Sequence, residues 1–455
     1  MKTASVNKNE IFGANYRFDP SYHLSEGVEI RRKYEHIPYG LTSVSKVSSR
    51  IFYGLRANRV YVSKKDHAIP FLTGASIMQA DLNNTKLVSK KYSPAIDEMT
   101  IQKGWVMITR SGTVGQTAFS NKLHEGKYGS EDIIRVIPND SIKPGVLYAY
   151  LASKYGHCLL TQGSFGAVIQ HIEPEFVGKL PIPNFPTTFQ EEVDSLIQQS
   201  AKLREQAADA LAEAVSYFDR LYKINPETTQ IFTKKVNDLP MGFASYNNNL
   251  EVDAFIDTYK DHSEKLGDIT SKLFAPPLFK HIYLNKDNGY PFMTGSELTR
   301  FNLRYYRWLS PRGVKDINDY VVKKGTLVLY KSGTTDGGIL GNVFIIDKQL
   351  DGCCLSDHVI RIVFNEEKKA YWAFAFLRSK GAVRMLQRLA TGTMIPFITP
   401  ERLSELLIPT PDENYDYIVS LVLYYVNLTS QSKANENKAI SMVEEEIEKW
   451  QSPTP

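Results

Sequence analysis

A block of sequence near residue 70 returns later in the chain, and this duplication limits the folds available more than any other feature. "IPFLTGASI" at Ile69 to Ile77 recurs as "YPFMTGSEL" at Tyr290 to Leu298, so Pro70, Phe71, Thr73 and Gly74 match Pro291, Phe292, Thr294 and Gly295 at an offset of 221 residues. At the same offset Lys103-Gly104 falls on Lys324-Gly325, and Ser111-Gly112-Thr113 falls on Ser332-Gly333-Thr334. Past a five-residue insertion in the second copy the offset becomes 226, aligning Gly115 with Gly341, Ser130 with Ser356, Arg135 with Arg361 and Leu151 with Leu377. Each copy reaches a Gly-containing turn, "TQGSFGAVIQHI" or "ATGTMIPFIT", and closes on "KLPIP" or "ELLIP". Two similar units are therefore expected, each with its own core.

Each copy is followed by a stretch of helical character. From Thr187 to about Lys223 there is no Gly or Pro, and Ala, Leu, Glu, Gln and Lys dominate, all strong helix formers. Its apolar positions recur at heptad spacing through Val193, Ser200, Ala207, Ala214 and Leu221 and through Leu196, Leu203, Ala210 and Tyr217. At 1.5 Å per residue such a helix is about 55 Å long. The small residues mid-stripe would let a second helix approach closely. That helix is predicted from about Tyr415 to Trp450, and the two are expected to pair antiparallel, with a two-fold axis relating the halves. Within a unit, "GWVMITRSG", "GTLVLYKSG", "EDIIRVIP" and "DHVIRIVF" read as buried strands. "VLYAYLASKYGHCLL" and "AYWAFAFLRSKGAVRMLQRL" have helical spacing, so each unit is α+β.

Composition narrows the function. The 54 Lys and Arg against 50 Asp and Glu leave no global field, so any nucleic-acid affinity must come from local patches. The 26 Tyr and 22 Phe suit strand-rich units. Only Cys158, Cys353 and Cys354 are present, which suits neither a disulfide framework nor a zinc site and points to a reducing cytoplasm. There is no signal-peptide core and no membrane-spanning run. Enzyme motifs are missing. A DNA amino-methyltransferase needs Asn or Asp before Pro-Pro-aromatic, and Pro276-Pro277 follows Ala275; no phosphate-binding loop occurs either. Glu175 with Lys179 reads as a surface pair, and His171 and His358 lack ligand-spaced partners.

The chain resembles the specificity subunits of type I restriction-modification systems along nearly its whole length. The resemblance rests on "KGWVMITRSGTVGQTAF" with its counterpart "KKGTLVLYKSGTTDGGILGNVF", on "GAVIQHI", and on "LPIPNFPTTFQEEVDSLI", similar to the family's strand, Pro-rich turn and helix start. "YRFDPSYH", echoed by "LEVDAFID", is similar to the family's domain opening. The second copy departs from the pattern, with Pro396-Phe397 where the first has Gln170-His171. The resemblance implies two target recognition domains, at 1–186 and 239–410, joined by long antiparallel helices at 187–238 (with its linker) and 411–455. It implies a non-catalytic, cytoplasmic subunit that binds a bipartite, asymmetric site on double-stranded DNA. Two methyltransferase subunits using S-adenosylmethionine, and ATP- and Mg-dependent restriction subunits, would be its partners; the chain itself would need no cofactor or metal. A two-repeat protein-binding adaptor, or the DNA-binding subunit of another phage-defence complex, is the alternative.

DNA recognition needs phosphate contacts for position and side chains on base edges for sequence. The turns Arg110-Ser111-Gly112-Thr113 and Lys331-Ser332-Gly333-Thr334-Thr335 offer a cation, hydroxyls and exposed backbone N–H groups that suit a phosphate; a plain tight turn between strands is the competing reading. Base contacts are expected where the copies differ: Gln79, Asn83, Asn84, Lys86, Gln116 and Ser164 in the first, and Arg300, Asn302, Arg304, Tyr305, Tyr306, Arg307 and Asp336 in the second. "RFNLRYYRW" is basic with interleaved aromatics, though a solvated strand or loop would have the same composition. Val193, Leu196, Leu203, Leu211 and Phe218, with Ile418, Leu421 and Tyr425, are the candidate partner-binding residues of the two helices.

Overall fold

The computed structural model describes all residues except 1, 2, 4, 7, 14–17, 36, 57, 64, 83–84, 165–169, 225–231, 236–244, 303–306, 334–339, 393–394 and 451–455. The chain divides into two compact units, Met1–Glu205 with Ser432–Pro455, and Gln206–Gln431.

In the first unit β1 (Leu41–Ser43) pairs antiparallel with β9 (Pro181–Pro183). A four-stranded antiparallel sheet runs in the order β2 (Ser48–Tyr53), β8 (Ile133–Pro138), β5 (Val106–Thr109), β6 (Thr117–Phe119). A smaller sheet sets β3 (Ala68–Leu72) between β4 (Leu87–Ser89) and β7 (Tyr128–Gly129), with β3 and β7 parallel. All four residues of β5 are buried, as a continuous apolar run requires. Helices Pro144–Ala152 and Lys154–Gln162 cover this sheet. They are divided by Ser153, whose Oγ accepts from Gly156 N–H at 3.1 Å and starts the second helix. A Cβ at position 156 would lie 2.1 Å from Tyr150 O, so the close approach admits only glycine.

The second unit repeats this plan. β10 (Ser263–Lys265) pairs with β19 (Leu407–Pro409), and the large sheet runs β11 (Thr270–Phe274), β18 (Val359–Phe364), β15 (Leu327–Tyr330), β16 (Val343–Ile345). The smaller sheet runs β12 (Tyr283–Leu284), β14 (Trp308–Leu309), β13 (Tyr290–Met293), β17 (Cys354–Leu355), with β13 and β17 parallel. The backbone keeps the register of the sequence repeat. Gly104 and Gly325 both sit at φ +85°, and Gly115 and Gly341 at +82° and +84°. The expected α+β units are thus present, as strands and helices of matching order.

Arg135 on β8 and Arg361 on β18 are buried without a carboxylate partner among the described residues. Arg135 donates from Nη1 to Ser130 O at 3.3 Å and Ile133 O at 2.8 Å, and from Nη2 to Gly129 O at 2.8 Å and Met99 O at 3.1 Å. Arg361 repeats the pattern on Ser356 O, Val359 O, Leu355 O and Tyr320 O. Burial pushes both guanidinium groups down to about 10, still charged at neutral pH. Each arginine stitches the large sheet to the parallel strand of the small one.

The helices Thr187–Leu221 and Tyr415–Glu448 are 35 and 34 residues long. Both continue from one unit into the other in sequence, and within each unit they run antiparallel. In the first, Phe185 lies beside Trp450, ring centroids 6.0 Å apart, while Ser200 meets Ser432 at 2.9 Å. In the second, Tyr417 donates to Glu213, and Tyr217 to Asp412. The heptad stripe is used inside the units. Val193 belongs to the core of the first, with Leu196 packed on it, and Leu203 is buried. Leu211, Phe218 and Ile418 belong to the core of the second, with Leu421 and Tyr425 packed on it. These residues therefore face their own chain. Among the described residues no helix is long and apolar enough to cross a membrane.

His124 is buried in the first unit. Its Nδ1 lies 2.9 Å from Asn121 Oδ1 and 3.3 Å from Asn121 N, and its Nε2 lies 3.1 Å from Ile77 O. Burial, with the charge of Arg204 nearby, pushes its pKa down to about 3. An unfolded imidazole titrates near 6.5, so the unfolded chain takes up a proton that the folded chain refuses. The contribution of His124 is expected to be complete above about pH 6.5 and to fall as pH drops toward 3, by about 2 kcal/mol at pH 5. In the second unit Asp347 caps the matching turn, its Oδ1 accepting from Gln349 N–H at 2.9 Å, and Leu350 stands where His124 does. His124→Leu is expected to remove the acid-induced loss. Thermal melts at pH 5 and 7 check it; equal pH sensitivity in variant and wild type would exclude this histidine as the cause.

Candidate DNA interface

The small sheet of each unit carries basic side chains against aromatic rings, exposed at Arg59, Lys86 and His281 and half-buried at Arg307. In the first unit Phe71 on β3 is the floor. The Arg59 guanidinium lies 5.1 Å from its centroid, Tyr61 stands edge-on at 6.5 Å, and Lys86 Nζ lies 5.3 Å from the Tyr61 ring. Cation–π attraction holds such charges while leaving part of each head toward water. Arg59 also donates to Glu131 Oε1 at 2.9 Å and lies 3.8 Å from Asp132. Asp132 in turn accepts from Ser111 Oγ at 2.5 Å, and Arg110 donates to Glu173 at 2.6 Å with its guanidinium 4.2 Å from the Tyr53 ring. One run of contacts thus leads from Lys86 to Ser111, the residue beside Arg110.

In the second unit Phe292 on β13 is the floor. His281 lies 5.2 Å from it, Tyr283 6.1 Å, and the Arg307 guanidinium 5.4 Å, with Tyr283 6.0 Å from the same guanidinium. Arg307 pairs with Glu297, whose Oε2 also accepts from Thr294 N–H at 2.7 Å as part of a capping box. The two frames correspond: Phe71 N–H donates to Lys86 O at 2.8 Å, and Phe292 N–H to Arg307 O at 3.0 Å.

The remaining sequence-predicted residues fall as follows. Gln79 closes the turn Ser76–Met78, its N–H on Ser76 O at 3.1 Å. Thr113 is exposed, and its carbonyl accepts from Thr109 Oγ1. Gln116 N–H donates to Thr109 Oγ1 at 2.9 Å. Ser164 follows a helix end with its N–H on Thr161 O at 3.1 Å. Arg300 is half-buried, and Asn302 is buried, which removes it from any open surface. Lys331 and Ser332 pair through their backbone with His358 and Phe397, as Ser111 does with His171. Asn83, Asn84, Arg304, Tyr305, Tyr306, Thr334, Thr335 and Asp336 lie outside the described residues.

Arg59, Tyr61, His281, Tyr283, Glu131 and Glu297 escaped the sequence reading. The signal was present: "RVYVSK" at Arg59 to Lys64 matches "HIYLNK" at His281 to Lys286, one residue out of step with the 221 offset.

Ser332, His358 and Asp357 invite comparison with a hydrolytic triad. Ser332 Oγ is 3.4 Å from His358 Nδ1, but His358 Nε2 is 3.9 Å from Asp357, beyond hydrogen-bond reach, so no nucleophile–base–carboxylate relay forms. No group of three or more His, Cys, Asp or Glu placed to hold a metal occurs among the described residues.

The sequence matches the family described as "Type I restriction modification DNA specificity domain" twice, over residues 58–200 and 262–441. No match was found among curated proteins. Among solved structures, the type I restriction-modification S subunit from M. genitalium is similar, with 11% identity, 91% of this chain and 96% of that chain covered, and a TM-score of 0.32. The HsdS subunit from Thermoanaerobacter tengcongensis shows 14% identity, 91% and 98% coverage and a TM-score of 0.28. A chain from a study of complex assembly and conformational transition in the type I R-M system shows 15% identity, 90% and 96% coverage and a TM-score of 0.28. With two copies of the domain spanning most of its length, this chain belongs to the type I restriction-modification DNA specificity family.

Proposed function

We propose that this chain selects the DNA sequence on which a type I restriction-modification complex acts, each unit reading one half of a bipartite, asymmetric site. The observation that carries the reading is a common frame bearing unlike polar groups: Arg59 and Lys86 around Phe71, against His281 and Arg307 around Phe292. Identical readers would accept a symmetric site; these are not identical. In this reading the chain contributes no catalytic residue. Adenine methylation belongs to two partner methyltransferase subunits using S-adenosylmethionine, which also take the base out of the stack. Cleavage belongs to ATP- and Mg-dependent restriction subunits. The complex works on cytoplasmic duplex DNA.

Exchanging residues 25–183 for those of a relative with a different site is expected to change one half of the methylated sequence and leave the other intact. A methylome of cells carrying the chimaera with its partner subunits reads this directly. If both halves changed together, the assignment of one half-site to each unit would fail.

A further inference from the structure

Matched places on the two frames carry different heads, and this difference is informative. A phosphate is the same group in both half-sites, so a matched place whose heads differ in kind, as Arg59 and His281 do, is one that carries sequence, while a cation kept at the matched place of Lys86 and Arg307 suits a base that both half-sites share. Lys86 and Arg307 occupy one matched place, fixed by the hydrogen bonds from Phe71 and Phe292 to their own carbonyls. Arg59 and His281 occupy another, each about 5 Å from the floor ring. Tyr61 and Tyr283 keep the same type in both units, as a shared shelf should. The shelf limits the rotamers of the cation above it, which lowers the ordering cost when that cation docks. Arg307 is further oriented by Glu297, while Lys86 makes no ion pair among the described residues.

We propose that Lys86 and Arg307 are the specificity-determining residues of the two units, each taking O6 and N7 of a guanine in the major groove, the commonest base contact of these side chains. Arg59 and His281 flank them and set the neighbouring base. The inference rests on the reading of the chain as a bipartite DNA reader and adds to it the residues that discriminate and the base they select.

The test uses the full complex with its methyltransferase subunits, wild type and with Lys86→Gln or Arg307→Gln, by methylome mapping and by duplex binding. Glutamine favours adenine over guanine at such a contact. Lys86→Gln is expected to relax or switch one guanine of one half-site, and Arg307→Gln one guanine of the other. Affinity for the wild-type sequence should fall about 5- to 150-fold in each case. Matching thermal melts of the variant and wild-type chains show that the altered unit is folded, and Lys86, being exposed, can be replaced without disturbing a core. Unchanged motifs with a uniform loss of affinity and a salt slope smaller by about one would mean phosphate contacts and would overturn the inference. Unchanged motifs and unchanged affinity would overturn it as well. A wild-type complex that methylates without sequence preference would instead sink the functional reading, and the inference with it.

Discussion

Replacing Glu436 with leucine is expected to destabilise the first unit by about 3–5 kcal/mol, the cost of leaving a buried charge without its partner. Glu436 is 1% exposed, accepts from Arg204 Nη1 at 3.0 Å and from Ser200 Oγ at 3.4 Å, and takes the Tyr148 hydroxyl as well. Arg204 is 9% exposed, so water cannot replace the lost carboxylate cheaply. The double replacement Arg204→Leu with Glu436→Leu behaves differently, because both desolvation costs disappear together. It is expected to be within about 1 kcal/mol of wild type, or more stable. Hydrogen exchange of the β5 and β8 amides measures the first unit alone. A Glu436→Leu variant within 1 kcal/mol of wild type would show that Arg204 finds another partner. The pair then contributes specificity more than stability: an apolar seam alone would tolerate sliding, whereas Ser200 on Ser432 and Arg204 on Glu436 fit one register.

This network shows where the sequence was legible and where it was not. Heptad spacing identified both long helices, because one-sided burial repeats with the helical turn. Ser200 was read as a small residue admitting a close neighbour. In the fold its hydroxyl is bonded across the seam, a contact between positions 232 residues apart. The strands were legible because runs such as Val106–Thr109 are buried throughout. Arg110 and Ser111 looked like open phosphate donors, yet each holds a carboxylate, Glu173 or Asp132, that only the tertiary fold brings near. Lys86 and Arg307 were singled out because they lie where the copies differ, and the fold sets each against an aromatic ring. Arg59 and His281 were missed because a one-residue slip hides their equivalence from a fixed offset.

Arg135 and Arg361 extend the same lesson, since the strand pattern of "IIRVIP" and "VIRIVF" does not say that their arginines are buried, as both are. Replacing either with lysine is expected to cost about 3 kcal/mol or more. The guanidinium spans four carbonyls with its two terminal nitrogens. A single ammonium keeps the buried charge but cannot reach all four, and each buried acceptor left short costs about 1–3 kcal/mol. The effect is expected to be local and functional. Arg135 holds Gly129 on β7, and β7 pairs through Tyr128 with Phe71, the floor under Arg59. Arg361 holds Leu355 on β17, which pairs with Met293 beside Phe292. Arg135→Lys should therefore blur the half-site read by the first unit while the other stays sharp, and Arg361→Lys should do the reverse. Methylome mapping near the variant's melting temperature reads both. Equal loss of the two half-sites from either single variant would show that the staple supports folding of the whole chain and not the frame of its own reader.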